Sequence, residues 1–171
     1  MRDEILGHAH EPNGPTPKLR EACGADRASL VDLWVAAWCT TMPDIDFDGR
    51  RIWFHRHLEA LQGSGARILV AEVGGMPLGF VTVDPGRRHL DQLAVHPDGQ
   101  GSGVASLLIA AAKALSPAGL VLDVNRDNPR ARRLYAGHGF SELSAGRNPT
   151  SGLPTLRLGW PGTDRGCDGP G

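Results

Sequence analysis

Glycines at 99, 101 and 103 punctuate the segment His96-Pro97-Asp98-Gly99-Gln100-Gly101-Ser102-Gly103-Val104-Ala105. A strand-like run precedes it and a helix-like run follows. Small residues let the backbone approach a ligand closely and adopt positive φ angles. The first N–H groups of a helix lack internal partners, and the helix dipole is positive there. Such a turn suits a diphosphate; a tight turn with no ligand would use the same glycines. Two common phosphate motifs do not fit. The Lys-Ser/Thr step of a Walker loop is missing, and Gly101-x-Gly103 is followed by Ser106 where a dinucleotide fingerprint needs glycine.

Titratable side chains flank this turn. His89 and Asp91 lie four and two residues before Leu93, on one face of a strand by period-2 alternation. Asp123 shares the other face of the run 119–125 with Val121 and Asn125, opposite Leu120, Leu122 and Val124. A lone Asp on a central strand is costly to bury, so it needs partners or water, which favours a cleft. Asn128-Pro129 reads as an N-cap followed by Pro at the first helical position. Tyr135, the only tyrosine, sits on that helix's apolar stripe with Ala131, Leu134 and His138.

The elements that position these residues alternate. A short strand is expected over 19–22 and a helix over 26–38, with Leu30, Leu33, Trp34, Ala37 and Trp38 at helical spacing. A second helix is expected over about 49–62, with Asp48 as N-cap and Phe54, Leu58 and Leu61 as its buried stripe. Residues 67–73 and 78–84 read as a hairpin about Gly74-Gly75, and 89–95 as a further strand. The helix after the glycine turn is expected over about 102–115, with Val104, Leu107, Leu108, Ala111 and Leu115 on one face. Gly139 stops the helix that begins after Asn128, and two last strands are expected over 140–143 and 155–158. Antiparallel hairpins first and a βαβ unit later predict an α/β (α+β) chain, a mixed sheet of about six to seven strands flanked by about four helices.

Composition bounds the rest. The chain has 171 residues, 40% hydrophobic and 22% charged, with formal net charge −1, which fits one globular domain. That domain is expected over 18–160, between flexible Pro/Gly-rich tails at 1–17 and 161–171. No Lys/Arg block supports nucleic-acid binding. No apolar run reaches membrane-spanning or signal-peptide length. Cys23, Cys39 and Cys167 form neither a disulfide framework nor a zinc signature, and a cytoplasmic location is expected. His8 and His10 lie in a tail that would fix ligands poorly, and no metal is expected.

Leu93-Ala94-Val95-His96-Pro97 followed by Gln100-x-x-Gly103-x-Ala105 resembles the acetyl-CoA-binding motif of the GCN5-related N-acetyltransferase (GNAT) superfamily. Asn125-Arg126-Asp127-Asn128 through Tyr135 to Phe140 looks like its second motif, with Asn-x6-Tyr-x4-Phe spacing kept. The resemblance covers about 93–140 and implies the GNAT-like fold and acetyl-CoA as cosubstrate. It implies that the first strand splays from its parallel neighbour and that the freed backbone of Leu93, Ala94 and Val95 binds the pantetheine arm. The diphosphate would rest on the amides of Gly101, Ser102, Gly103, Val104, Ala105 and Ser106, with Gln100 beside them. Asn128 would contact the pantetheine arm besides capping its helix. Tyr135 would stand near the thioester sulfur as general acid for the leaving thiolate. The attacking amine must lose a proton, and His89, Asp91 and Asp123 stand where superfamily members place bases.

Residues 42–48 join the first two helices, a connection that usually helps wall the acceptor site in this superfamily. Asp44 and Asp46 there are candidate substrate contacts for a cationic amine, with Trp38 as lining; loop and cap chemistry would also place the carboxylates there. His55 and His57 point apart on a helix, so a shared metal is not expected. The polar loop Asn148–Pro154 lies before the last strand and is a possible border of the acceptor site. The reading is an N-acetyltransferase acting by direct attack on a primary amine, a small molecule favoured over a protein N-terminus or lysine, in a monomer or homodimer. A non-catalytic acyl-CoA-binding module is the alternative of another class.

Overall fold

Alternating side chains over 67–95 build an antiparallel meander, and the rest of the sheet grows from its two edges. The computed structural model describes residues 14–163. In chain order these form β1 (Lys18–Glu21), α1 (Arg27–Thr41), α2 (Arg51–Gly63), β2 (Arg67–Val73), β3 (Met76–Asp84) and β4 (His89–Val95). Then follow α3 (Val104–Leu115), β5 (Leu120–Asn125), α4 (Pro129–Gly137), β6 (Ser141–Arg147) and β7 (Pro154–Trp160). The sheet has seven strands in the order β1-β2-β3-β4-β5-β7-β6. All neighbours are antiparallel except β4 and β5. His8, His10 and Cys167 lie outside the described residues, as do most of both expected tails.

Each face of the sheet carries its own core. Val104, Leu108, Ile109 and Ala112 of α3 pack with Val81, Val83, Leu90, Leu120 and Leu122 on one face. On the other, Leu30, Trp34, Phe54 and Leu58 of α1 and α2 pack with Ile68, Val70, Phe80 and Ala94. Leu108 and Ile109 are fully buried, and each such side chain contributes about 1.5–3 kcal/mol relative to exposure. Burial on α1 is wider than the sequence stripe, because Val31 and Val35 are buried as well. The helix lies between the sheet and α2, so two of its sides are covered. On α3 the buried stripe is turned toward Ile109 and Ala112, leaving Leu107 and Ala111 on its flank.

Several boundaries differ from the sequence expectation for identifiable reasons. The third helix begins at Val104 and not at 102, because Gly101 and Gly103 hold φ of 77° and 83° and keep the turn open. Asp48 does not cap α2, which begins at Arg51; its carboxylate accepts from Arg51 Nε at 2.5 Å. The turn entering α2 is held instead by Asp46, whose Oδ1 accepts from the Gly49 amide at 2.9 Å. The strand expected over 140–143 runs to Arg147 as an exposed edge, with a bulge at Leu143. No apolar alternation marks Ser144-Ala145-Gly146-Arg147, so only the ladder to β7 defines it. No helix among the described residues is long and apolar enough to cross a membrane.

Candidate active site

The two parallel central strands touch at one point. β4 and β5 pair at His89↔Val121, next to a 2.8 Å bond from the Val121 amide to the Arg88 carbonyl. Beyond that point they diverge, and a cleft of about 1230 Å³ opens between them. Single-ligand pockets are typically about 300–1,000 Å³, so this one has room for two reactants. His89, Asp91, Leu93, Ala94 and Val95 line it from β4; Asp123 and Asn125 line it from β5.

At the far end of β4 the chain enters the glycine turn. Gln100, Gly101, Gly103, Ala105 and Ser106 face the cleft. The amides of Gly101, Gly103, Val104, Ala105 and Ser106 donate to no acceptor among the described residues, the first bond of the helix being Leu107 N–H to the Gly103 carbonyl at 3.0 Å. A row of free N–H groups at a helix start is an anion cradle. A Cβ on Gly101 or Gly103 would meet nothing within 4 Å, so positive φ, and not crowding, requires glycine there. Ser102 turns both its hydroxyl and its amide to the Gly99 carbonyl and does not line the cleft, and the Val104 side chain is buried in the core, so Val104 offers only its amide. The Gln100 Oε1 accepts from Arg130 at 2.7 Å, and its amide NH₂ has no partner among the described residues.

Helix α4 supplies the opposite wall. Asn128 caps it, its Oδ1 accepting from the Ala131 amide at 3.1 Å, and its NH₂ has no partner among the described residues. Tyr135 lines the cleft from a buried position, edge-on to Phe140, with no hydrogen bond on its hydroxyl among the described residues. Burial pushes its phenol well above the ordinary range, so it stays protonated throughout working pH.

The base candidates have different surroundings. Both oxygens of Asp123 accept from Arg157, at 3.0 and 3.1 Å, and the pair is substantially exposed. Asp91 is mostly buried. Thr82 pairs with Gln92 and Val83 with Leu90, so Asp91 is the extra residue of a β-bulge, a device that re-aims side chains beside active sites. Asp91 Oδ2 lies 2.6 Å from His57 Nε2 and accepts from Gln92 Nε2 at 3.2 Å. Burial, the largest single influence, would raise its carboxyl pKa, but His57, the Gln92 hydrogen bond and the nearby His89 together outweigh it and hold the carboxyl below the usual value. His89 sits where β4 and β5 meet and makes no side-chain hydrogen bond among the described residues.

Expectations for the acceptor side need correction. Asp44 and Asp46 are exposed and do not line the cleft. Asp46 is spent on the turn before α2, and the helix it starts brings Trp53 and His57 to the cleft in their place. Trp38 does line it, and its buried Nε1 has no hydrogen-bond partner among the described residues. Asn148, Pro149 and Thr150 border the cleft from the β6–β7 connection. His57 escaped sequence reasoning because its spacing was weighed against His55. The informative spacing is Trp53–His57, one helical turn apart and rotated by one residue, about 100°, from the buried pair Phe54–Leu58.

Residues 64–142 match the model of the acetyltransferase (GNAT) domain family. The mycothiol acetyltransferase of Thermobispora bispora is 35% identical over 131 residues, covering 75% of this chain and 42% of that protein. The peptidyl-lysine N-acetyltransferase YjaB of Salmonella typhimurium is 34% identical over 89 residues, covering 50% of this chain and 58% of that protein. The chain thus spans about half the length of these curated relatives. Among solved structures, a GCN5-related N-acetyltransferase from Rhodopseudomonas palustris superposes with TM-score 0.70 at 26% identity, covering 86% of this chain and 97% of that one. Motif order, strand order and these likenesses agree: residues 64–142 carry a GNAT acetyltransferase domain.

Proposed function

We propose that this protein moves an acetyl group from acetyl-CoA to a primary amine by direct attack, with a small-molecule amine as the favoured acceptor. The observation that carries the reading is the single-point pairing of β4 and β5, which opens a cleft ending on a row of unpartnered helix-start amides. In this reading the diphosphate rests on the free amides of Gly101, Gly103, Val104, Ala105 and Ser106 with Gln100 beside them. The backbone of Leu93–Val95 holds the pantetheine arm and polarises the thioester carbonyl. The free NH₂ of Asn128 reaches the pantetheine arm, and Tyr135 protonates the departing thiolate. Asp123 is assigned to the wall, since Arg157 occupies both of its oxygens.

A small acceptor is favoured because Trp38, Trp53 and His57 give the acceptor side an aromatic wall. A peptide lysine is the second reading, favoured by the likeness to a peptidyl-lysine N-acetyltransferase. Release of free CoA thiol from acetyl-CoA tests both. Aralkylamines, amino sugars and polyamines should give a higher kcat/KM than lysine or free-N-terminus peptides; the reverse order selects the peptide reading. Acetyl-CoA binding without turnover on either panel removes acetyl transfer and leaves an acyl-CoA-binding module.

A further inference from the structure

We propose that His57 is the proton acceptor for the attacking amine, and that Asp91 positions its ring without taking the amine proton itself. The inference rests on the acetyl transfer proposed above. The imidazole is fixed on two sides. Its face stacks on Trp53 at 5.0 Å and 8°, and its Nε2 meets Asp91 Oδ2 at 2.6 Å. Asp91 is in turn held by Gln92, whose Oε1 accepts from Trp34 Nε1 at 3.2 Å, and Trp34 stacks on the fully buried Phe54 at 4.1 Å. The whole chain of contacts is anchored in the core between α1, α2 and the sheet.

That arrangement selects a tautomer. An ionised carboxylate only accepts hydrogen bonds, so Nε2 carries the proton toward Asp91 and the lone pair of the neutral ring sits on Nδ1. No hydrogen bond engages Nδ1 among the described residues. Asp91 is the poorer base, because Oδ2 already accepts from His57 and Gln92 and its conjugate acid is made stronger by that pairing. The bulge at Asp91 brings the pair to the cleft two residues, about 7 Å, from Leu93, whose backbone borders the thioester in the proposed reaction.

The protons balance as follows. The substrate ammonium gives one proton to His57 Nδ1 and becomes a nucleophile. Its nitrogen attacks the acetyl carbonyl carbon, forming the C–N bond, and the C–S bond then breaks. The thiolate takes the Tyr135 proton, the amide nitrogen gives up its second proton to restore the phenol, and imidazolium returns its proton to solvent. One of the three ammonium protons stays on the amide, one ends on the CoA thiol, and one leaves through His57.

The test compares two aralkylamines of the same shape with acetyl-CoA as donor. One has an ordinary alkylamine pKa of about 10; the other is its β,β-difluorinated analogue, assayed above its lowered pKa so that it is largely neutral and in no need of a base. In His57→Gln, which keeps a donor to Asp91, kcat/KM for the alkylamine should fall about 10²–10³-fold. The loss for the fluorinated amine should stay under about fivefold, since only the base-dependent step is removed. Added imidazole should restore part of the alkylamine rate in His57→Ala. Acetyl-CoA affinity, measured on each variant, should stay within about twofold, since the site proposed for the donor is left intact. Equal losses on both amines with no imidazole rescue would reduce His57 to a packing role. An amine-selective loss in Asp91→Asn, absent from His57→Gln, would make Asp91 the base. Wild-type protein that binds acetyl-CoA but turns over neither amine overturns acetyl transfer, and this inference with it.

Discussion

Gly79 lies on β3 where α3 seats against the sheet, and Gly79→Ala tests that seating. A Cβ there would stand 2.8 Å from Val104 Cγ1, 2.9 Å from Leu108 Cδ1 and 3.0 Å from the Ala94 carbonyl oxygen. Ordinary carbon contacts lie at about 3.5–4.0 Å, so the two side-chain neighbours must retreat by roughly 0.7–1 Å. Both are fully buried, and the third neighbour is backbone of the adjacent strand, locked by the Gly79↔Val95 pairing. Overpacking of this kind costs about 1–3 kcal/mol. Alanine recovers about 0.5–1 kcal/mol over glycine through the unfolded state, leaving a net loss of up to about 2.5 kcal/mol, centred near 1 kcal/mol. For a chain of this size the central value lowers Tm by about 2–4 °C. Val104 is the first residue of α3, so the same retreat shifts the cradle amides, and the acetyl-CoA Kd should weaken several-fold. Calorimetric unfolding and isothermal titration measure the two effects. Gly63→Ala is the control, since its Cβ meets nothing within 4 Å and its φ is not positive; it should leave Tm unchanged or raised. A Gly79→Ala protein with unaltered Tm and unaltered Kd would refute the seating argument.

Two further outcomes follow from the same structure. In Tyr135→Phe, kcat should fall about 10²-fold, the low end for a lost general acid. Stability should change by under about 1 kcal/mol, because no partner among the described residues holds the hydroxyl; kcat within twofold of wild type removes the acid role. Arg20 donates to both oxygens of the mostly buried Asp26, at 2.7 Å each, and these bonds hold its carboxyl well below the ordinary range. Because the folded-state pKa is depressed, the stabilisation is full above the unfolded value of about 4 and is lost as pH falls through the folded value. Asp26→Asn should therefore cost about 1.5–3 kcal/mol in urea unfolding at pH 7, and the gap to wild type should narrow below about pH 4; a gap that does not depend on pH would assign the loss to packing.

Much of the local geometry around the glycine turn was legible along the chain. The glycine turn, the Asn128 cap with Pro129 behind it, and the alternation over Leu120–Asn125 are local facts. Positive φ, orphan amides and period-2 side-chain placement act within a few residues, so spacing alone reports them. The edge strand β6 was less legible, since Ser144–Arg147 has no apolar pattern and takes its shape from β7. Asp44 and Asp46 were the wrong carboxylates for the cleft, because a loop's charge says nothing about which way the following helix will turn.

What the sequence determined by itself is the order of elements and the residues able to hold an anion beside a tyrosine. Tertiary structure decided which of the candidate bases has a usable neighbour. His57 and Asp91 are 34 residues apart and meet only because α2 packs across the sheet face beside the β4 bulge. Asp123 is paired off by Arg157, also 34 residues away, only because β7 inserts next to β5. Proton-transfer geometry depends on ångström-scale contacts between elements distant in the chain, and no local spacing encodes them.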